Sequence, residues 1–202
     1  MNIAVIGWGS LVWCPGSLRI KTRWRADGPG LPLEFARISE DGRLTLVILP
    51  GSKEQGTYWA LSECESLDGG RRNLRERERA KLTDIHVAVR GGPQMKGIDR
   101  DVAKSIEAWL ALNDDVGAAL WTGLGSNWRD NRGRDFTPAD AVRYLQELEA
   151  LSKRARSTYE RAREYIVNSP PLVGTEVREA MRAQGWKDAK LPEFLFDGHQ
   201  TP

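Results

Sequence analysis

The run Ile3-Ala-Val-Ile6 is wholly apolar and mostly β-branched, and it gives way without a transitional residue to Gly7-Trp8-Gly9-Ser10-Leu11. A short continuous apolar run of this kind predicts a buried strand, because its periodicity assigns it to neither face alone. Two glycines within three residues then end it. Glycine adopts backbone angles closed to residues with a Cβ and lets another group approach the main chain closely, so Gly7 and Gly9 are expected to make room for something.

Further strands follow. Leu33-Glu-Phe-Ala-Arg-Ile-Ser39 alternates apolar and polar residues, Glu40-Asp-Gly-Arg43 reads as a turn, and Leu44 to Leu49 completes a hairpin closed off by Pro50-Gly51. Thr57-Tyr-Trp-Ala-Leu61 is a short aromatic-rich strand, and a helix is expected between Ser66 and Lys81. In Asp84 to Val89 the spacing puts Ile85, Val87 and Val89 on one sheet face and His86 on the other, which makes His86 an ordinary strand residue rather than a ligand. Beyond residue 100 the period lengthens. Val102 to Leu112 is helical in pattern, Ala118 to Thr122 is one more strand, and Thr137-Pro138 caps and starts a helix. A second long helix runs to about Val167 and stops at Ser169-Pro-Pro171. The fold class is α+β, with a core over residues 1–125 and a helical extension over 126–202 packed on it.

Charge narrows the function classes. Thirty Lys and Arg face 28 Asp and Glu, a formal net charge of +2, which argues against a dedicated nucleic-acid binder. No stretch has the length of a membrane span, so a membrane partner is not expected and a cytoplasmic location is. Cys14 and Cys64, the only cysteines, fit a reducing compartment; with His86 and His199 they match no zinc-site spacing, so no metal is called for.

The chemistry-bearing candidates are few. A tight turn at a strand end can aim successive N–H groups into one concavity, where they hold a carboxylate or a polarised carbonyl oxygen. Gly7 to Leu11 is such a turn; it lacks the lysine of a P-loop and the full glycine pattern of a dinucleotide fold, so no nucleotide cofactor is indicated. Leu74-Arg-Glu-Arg-Glu-Arg79 offers Glu76 and Glu78, which point in different directions because residues two apart on a helix do not share a face. The charge pattern alone leaves both as partners of neighbouring arginines on a solvated face. Arg71, Arg72, Arg75 and Arg77 read the same way, and Glu34 reads as an exposed strand carboxylate.

Taken in order, these residues resemble the γ-glutamylcyclotransferase-like superfamily, including its ChaC-type enzymes. Gly7-Trp-Gly-Ser-Leu-Val-Trp13 is similar to the family's Tyr-Gly-Ser-Leu turn, and Phe35 to Ser39, Leu44 to Val47 and Tyr58 to Leu61 are similar to the hairpin and strand that follow it. Leu74-Arg-Glu-Arg77-Glu78 matches the Leu-x-x-Arg-Glu ending of the helix that bears the catalytic glutamate. The resemblance covers roughly residues 1 to 90 and departs at Trp8, where the family commonly has tyrosine.

The resemblance implies a small mixed β-barrel with a helical C-terminal extension. It also implies that Glu78 is the catalytic acid and base, and that Gly7, Trp8, Gly9, Ser10 and Leu11 bind substrate. Trp13 and Trp59 are candidate pocket walls. The substrate would be a γ-glutamyl amine or peptide whose own α-amine attacks the γ-carbonyl, releasing 5-oxoproline with no cofactor. Ser10 has no triad partner, so its hydroxyl belongs to the turn or to substrate rather than to a nucleophile. The competing expectations are a protein or nucleic-acid interaction module on the same fold, motivated by the basic stripe Ser152 to Arg163, and a silent small-ligand binder, favoured if Trp8 fills the cavity.

Overall fold

The structure is a computed structural model that describes residues 1–93, 95–151 and 156–197. In chain order its elements are β1 (Ile3–Gly7), α1 (Ser10–Trp13), β2 (Leu31–Ile38), β3 (Leu44–Ile48), β4 (Glu54–Gln55), β5 (Tyr58–Leu61), α2 (Leu67–Glu78), β6 (Ile85–Val89), α3 (Arg100–Leu112), β7 (Ala118–Thr122), α4 (Trp128–Arg132), α5 (Pro138–Ala150), α6 (Arg156–Val167) and α7 (Glu176–Ala183). The class is α+β. Among the described residues the strands pair into two separate sheets, and no closed barrel is found. Of these residues, 1–31, 56–123 and those from 192 onward form one compact unit, and 32–55 with 124–191 form another.

The first unit is built on a sheet ordered β5-β1-β7-β6. Its centre is the opening apolar run: all five residues of β1 are buried, which a strand with neighbours on both edges and cover on both faces requires. β1 runs antiparallel to β5 and parallel to β7, and β7 runs antiparallel to β6. Helix α2 starts at Ser66, whose side chain accepts from the Gly69 N–H as an N-cap. It lies close to the sheet because position 70 is glycine: a Cβ there would stand 2.6 Å from Leu120 Cδ1. Ile3 Cγ2 comes to the same spot, so Ile3 and Leu120 mark the sheet face that α2 covers. The indole of Trp59 donates to Asp27 at 2.7 Å beneath the Arg25 guanidinium and meets Trp109 edge-on.

His86 is a strand residue, stacked on Trp121 with 5.7 Å between ring centroids. Burial lowers its pKa. The expected uniform face of β6 is corrected in part, since Ile85 is buried but Val89, at the strand's end, is exposed.

In the second unit β2 lies between β3 and β4, and the β2–β3 hairpin is antiparallel as its sequence predicts. The register shifts between Glu34 and Arg37, and there the alternation fails: Leu33, Glu34, Phe35 and Ala36 are all buried. Glu34 is therefore no solvated strand residue. It accepts from the N–H groups of Phe35, Glu176 and Val177, and so caps the first turn of α7. Arg178, also buried, donates to the carbonyls of Ser169, Pro170 and Val173 and pairs with Asp188. Thr137 caps α5 with Pro138 in its first turn, as the sequence predicts.

Candidate functional site

Gly7 has to be glycine for a reason internal to the protein. A Cβ at that position would stand 3.0 Å from the ring edge of Trp24 and 3.4 Å from Leu11 Cβ. The room expected at this turn is therefore filled, at Gly7, by tryptophan. The chain then passes through Gly9 into α1, a single turn closed by bonds from the Val12 N–H to the Gly9 carbonyl and from the Cys14 N–H to the Ser10 carbonyl. The N–H groups of Gly9, Ser10 and Leu11 have no acceptor among the described residues. Unsatisfied donors at a helix start seek a ligand, a water or an anion, and here the turn around them is largely buried.

Residues from the far end of α2 meet this turn. The Arg77 guanidinium donates to Ser10 Oγ at 3.1 Å, to the Cys14 carbonyl at 2.7 Å and to the Pro15 carbonyl at 3.2 Å. Its remaining terminal nitrogen donates to Glu78 Oε1 at 2.8 Å. Because Ser10 and Glu78 share one rigid guanidinium fork, their side-chain oxygens are no more than about 8 Å apart. The carboxylate and the turn thus belong to one locality, and Arg77 ties them together. Arg77 is only 15% exposed and Glu78 20%, whereas Glu76 is exposed. The expectation of a solvated helix face fails at Arg77, because the carbonyls that end α1 point at it.

Burial raises the Glu78 pKa above the ordinary glutamate value, and the Arg77 charge holds part of that rise back. Oε2 accepts no hydrogen bond among the described residues. The arrangement is a carboxylate of raised basicity with one oxygen open to a proton, near three unpaired N–H donors. That combination supports proton transfer beside a developing negative charge.

The other expected residues are placed as follows. Trp8 is buried in the turn, and Trp13 ends α1 half-buried. Trp59 is occupied by Asp27, Arg25 and Trp109, none of which belongs to the Arg77 group. Tyr58, one residue earlier, is the one that stands opposite Gly7 in the β1–β5 register. Sequence reading missed the approach of Trp24 to Gly7 and the clamping role of Arg77, since each is a matter of close approach rather than of local pattern. His199 and Ser152 to Ala155 lie outside the described residues. Among the described residues no group of three or more His, Cys, Asp or Glu side chains is placed to hold a metal ion, and no helix is long and apolar enough to cross a membrane. A surface cleft of about 510 Å³ lies instead against Ala88 to Pro93 and α3. It contains none of the turn residues, and its Arg90 is already bound to Asp114 and the Val116 carbonyl.

Comparison of the chain with protein-family models, with curated proteins and with solved structures gives no match.

Proposed function

We propose that the protein is a γ-glutamylcyclotransferase-like enzyme that cleaves a γ-glutamyl amide by attack of its own α-amine and releases 5-oxoproline. The observation that carries the reading is the Arg77 bridge, which ties Glu78 to Ser10 and leaves one carboxylate oxygen unbonded among the described residues. Glu78 removes protons from the α-nitrogen and returns them to the leaving nitrogen, while the N–H groups of Gly9, Ser10 and Leu11 receive the oxyanion formed at the γ-carbonyl. Ring closure within one bound molecule needs no second reactant, and effective molarities on the order of 10⁵ M make folding the substrate a large part of catalysis. The small mixed barrel of the superfamily belongs to the same proposal.

The direct test is incubation with γ-glutamyl amino acids, γ-glutamylamines and glutathione, with 5-oxoproline as the readout. Product from at least one class is expected, and none from any of them overturns the reading. One observation favours a second reading, a silent binder of small γ-glutamyl-like ligands: Glu78 is already paired with Arg77, and an ion-paired carboxylate is the weaker base. Saturable binding of these compounds without product would select it.

A further inference from the structure

The first unit treats the two edges of its sheet differently. Along β5 the outward backbone groups are taken up: the Arg25 and Trp59 N–H groups bond each other's carbonyls, and the Lys21 N–H reaches the Leu61 carbonyl. Along β6, at the other end of the order β5-β1-β7-β6, no further strand pairs among the described residues. An edge left open in this way offers its donors and acceptors to any chain that can align with it. There is room for one: Leu82 and Val89, at the two ends of this edge, are 40% and 38% exposed, and the surface cleft of about 510 Å³ borders Ala88 to Pro93.

The inventory of that edge is short and symmetric. The Gly123 N–H bonds the Asp84 carbonyl and the Arg90 N–H bonds the Gly117 carbonyl. Asp84, His86, Ala88 and Arg90 therefore turn their backbone groups toward β7, and Ile85, Val87 and Val89 turn theirs outward. Two outward groups are already used, since the Ile85 N–H bonds the Leu82 carbonyl and the Val89 carbonyl accepts from the Gly92 N–H. The Ile85 carbonyl, both groups of Val87 and the Val89 N–H have no partner among the described residues.

We infer that β6 is a dimer interface, pairing antiparallel with β6 of a second copy about a twofold axis at Val87. Val87 then exchanges both of its bonds with Val87 of the copy, and the Val89 N–H of each chain reaches the Ile85 carbonyl of the other. All four open groups are satisfied on both chains. A register moved two residues in either direction sets one group of Val87 against a group already in use. The side chains agree with the same alignment: exposed Val89 comes opposite Ile85, Val87 opposite Val87, and acidic Asp84 opposite basic Arg90, so no like charges face each other. The occupant is thus a second copy, because the open groups and the charges are both related by one axis.

Sedimentation equilibrium of the full chain over about 1–500 µM should show a monomer–dimer equilibrium, the regime of a short interface. Hydrogen exchange read by NMR should slow at the Val87 and Val89 amides by about 10-fold or more across that range. The Ile85 amide, bonded within the chain, should not change. Val87→Pro removes an N–H with no partner inside the chain, and proline is tolerated at such an edge position. It should weaken dimerisation at least about 100-fold while far-UV circular dichroism keeps the wild-type spectrum. Val89→Lys, at an exposed strand end, should weaken it about 10-fold, and it decides the matter where Val87→Pro does not fold. A chain that stays monomeric to the top of the range overturns the inference, and so does a dimer that neither variant weakens. Val87 and Val89 amides fully protected at the lowest concentration would show the edge to be covered within the chain, which also overturns it. None of these outcomes bears on the cyclotransferase reading, which stands or falls by its own assay.

Discussion

Glu34 and Glu78 are two carboxylates that burial pushes in the same direction, upward, and the protein holds them in opposite ways. Glu34 is wrapped in donors: the N–H groups of Phe35, Glu176 and Val177 point at it, and it is 2% exposed. Among the described residues Glu78 has one partner, Arg77, and keeps an oxygen without a donor. The first arrangement is what a fold does with a carboxylate it needs for architecture, since every lone pair given a donor makes the group less able to exchange protons. The second leaves desolvation only partly compensated, an arrangement that clusters at groups which exchange protons.

The largest effect expected from this contrast is on catalysis. Glu78→Gln keeps the side chain's size and loses the titratable oxygen, so 5-oxoproline formation should fall by about 10²–10⁴-fold, the range for removing a general acid–base. The melting temperature should barely move. Initial rates beside a thermal melt check both; a variant that keeps wild-type turnover removes Glu78 from the chemistry.

Glu34→Gln should do the reverse. An amide at that position can accept from one N–H but must aim its NH₂ at another donor. The expected cost is about 1–3 kcal/mol of stability, read as a lower denaturant midpoint at unchanged slope. The pH dependence has a definite sign. Because the folded pKa of Glu34 lies above its ordinary 4.5, the folded state binds more protons between the two values. Its contribution is therefore complete below about pH 4.5 and is lost as pH rises through the raised value. The penalty of Glu34→Gln should thus be greatest at acid pH and shrink above it; a penalty that grows with pH would contradict the assigned direction.

The contrast also marks how far local pattern reaches. The β2–β3 hairpin and the capped start of α5 follow from turn chemistry and N-cap residues, which act within a few positions. Glu34 was misplaced because the register shift after it cancels the alternation that would have put it in water. Arg77 looked like one more arginine of a charged helix, and nothing within α2 announces the carbonyls of Cys14 and Pro15 that it meets. Trp24 enters only through the close approach of its ring to Gly7, which no local pattern announces. Periodicity reads burial and element type, but not which strand lies beside which.

Arg77 sharpens the comparison at an intermediate magnitude. Its charge restrains the rise in the Glu78 pKa, so Arg77→Gln should move the Glu78 titration further upward, seen by carboxyl ¹³C NMR, and shift the acid limb of kcat/KM with it. Arg77→Lys keeps the charge but cannot span Ser10, two carbonyls and Glu78 with one planar fork. Its acid limb should stay closer to that of the wild type while KM rises. If both variants change KM alone, Arg77 orders the turn and does not tune Glu78.

The smallest effect concerns the residue that follows Glu78. Arg79 sits at φ 52° and ψ 34°, the only non-glycine residue with positive φ among the described residues, where it closes the end of α2 through bonds to Glu76 and Arg75 carbonyls. A residue with a Cβ pays about 1 kcal/mol to sit there, and glycine is what helices ordinarily place at this position. The Arg79 side chain is exposed and has no part in the Arg77 group. Arg79→Gly should therefore raise stability by a few tenths to about 1 kcal/mol after glycine's extra unfolded-state entropy is counted. Denaturation measures that gain, and kcat decides its meaning. Unchanged turnover makes the left-handed arginine incidental to the site. A fall in turnover despite greater stability would mean that the strained cap helps to aim Glu78, and the half-satisfied region would then owe its chemistry to backbone as well as to burial.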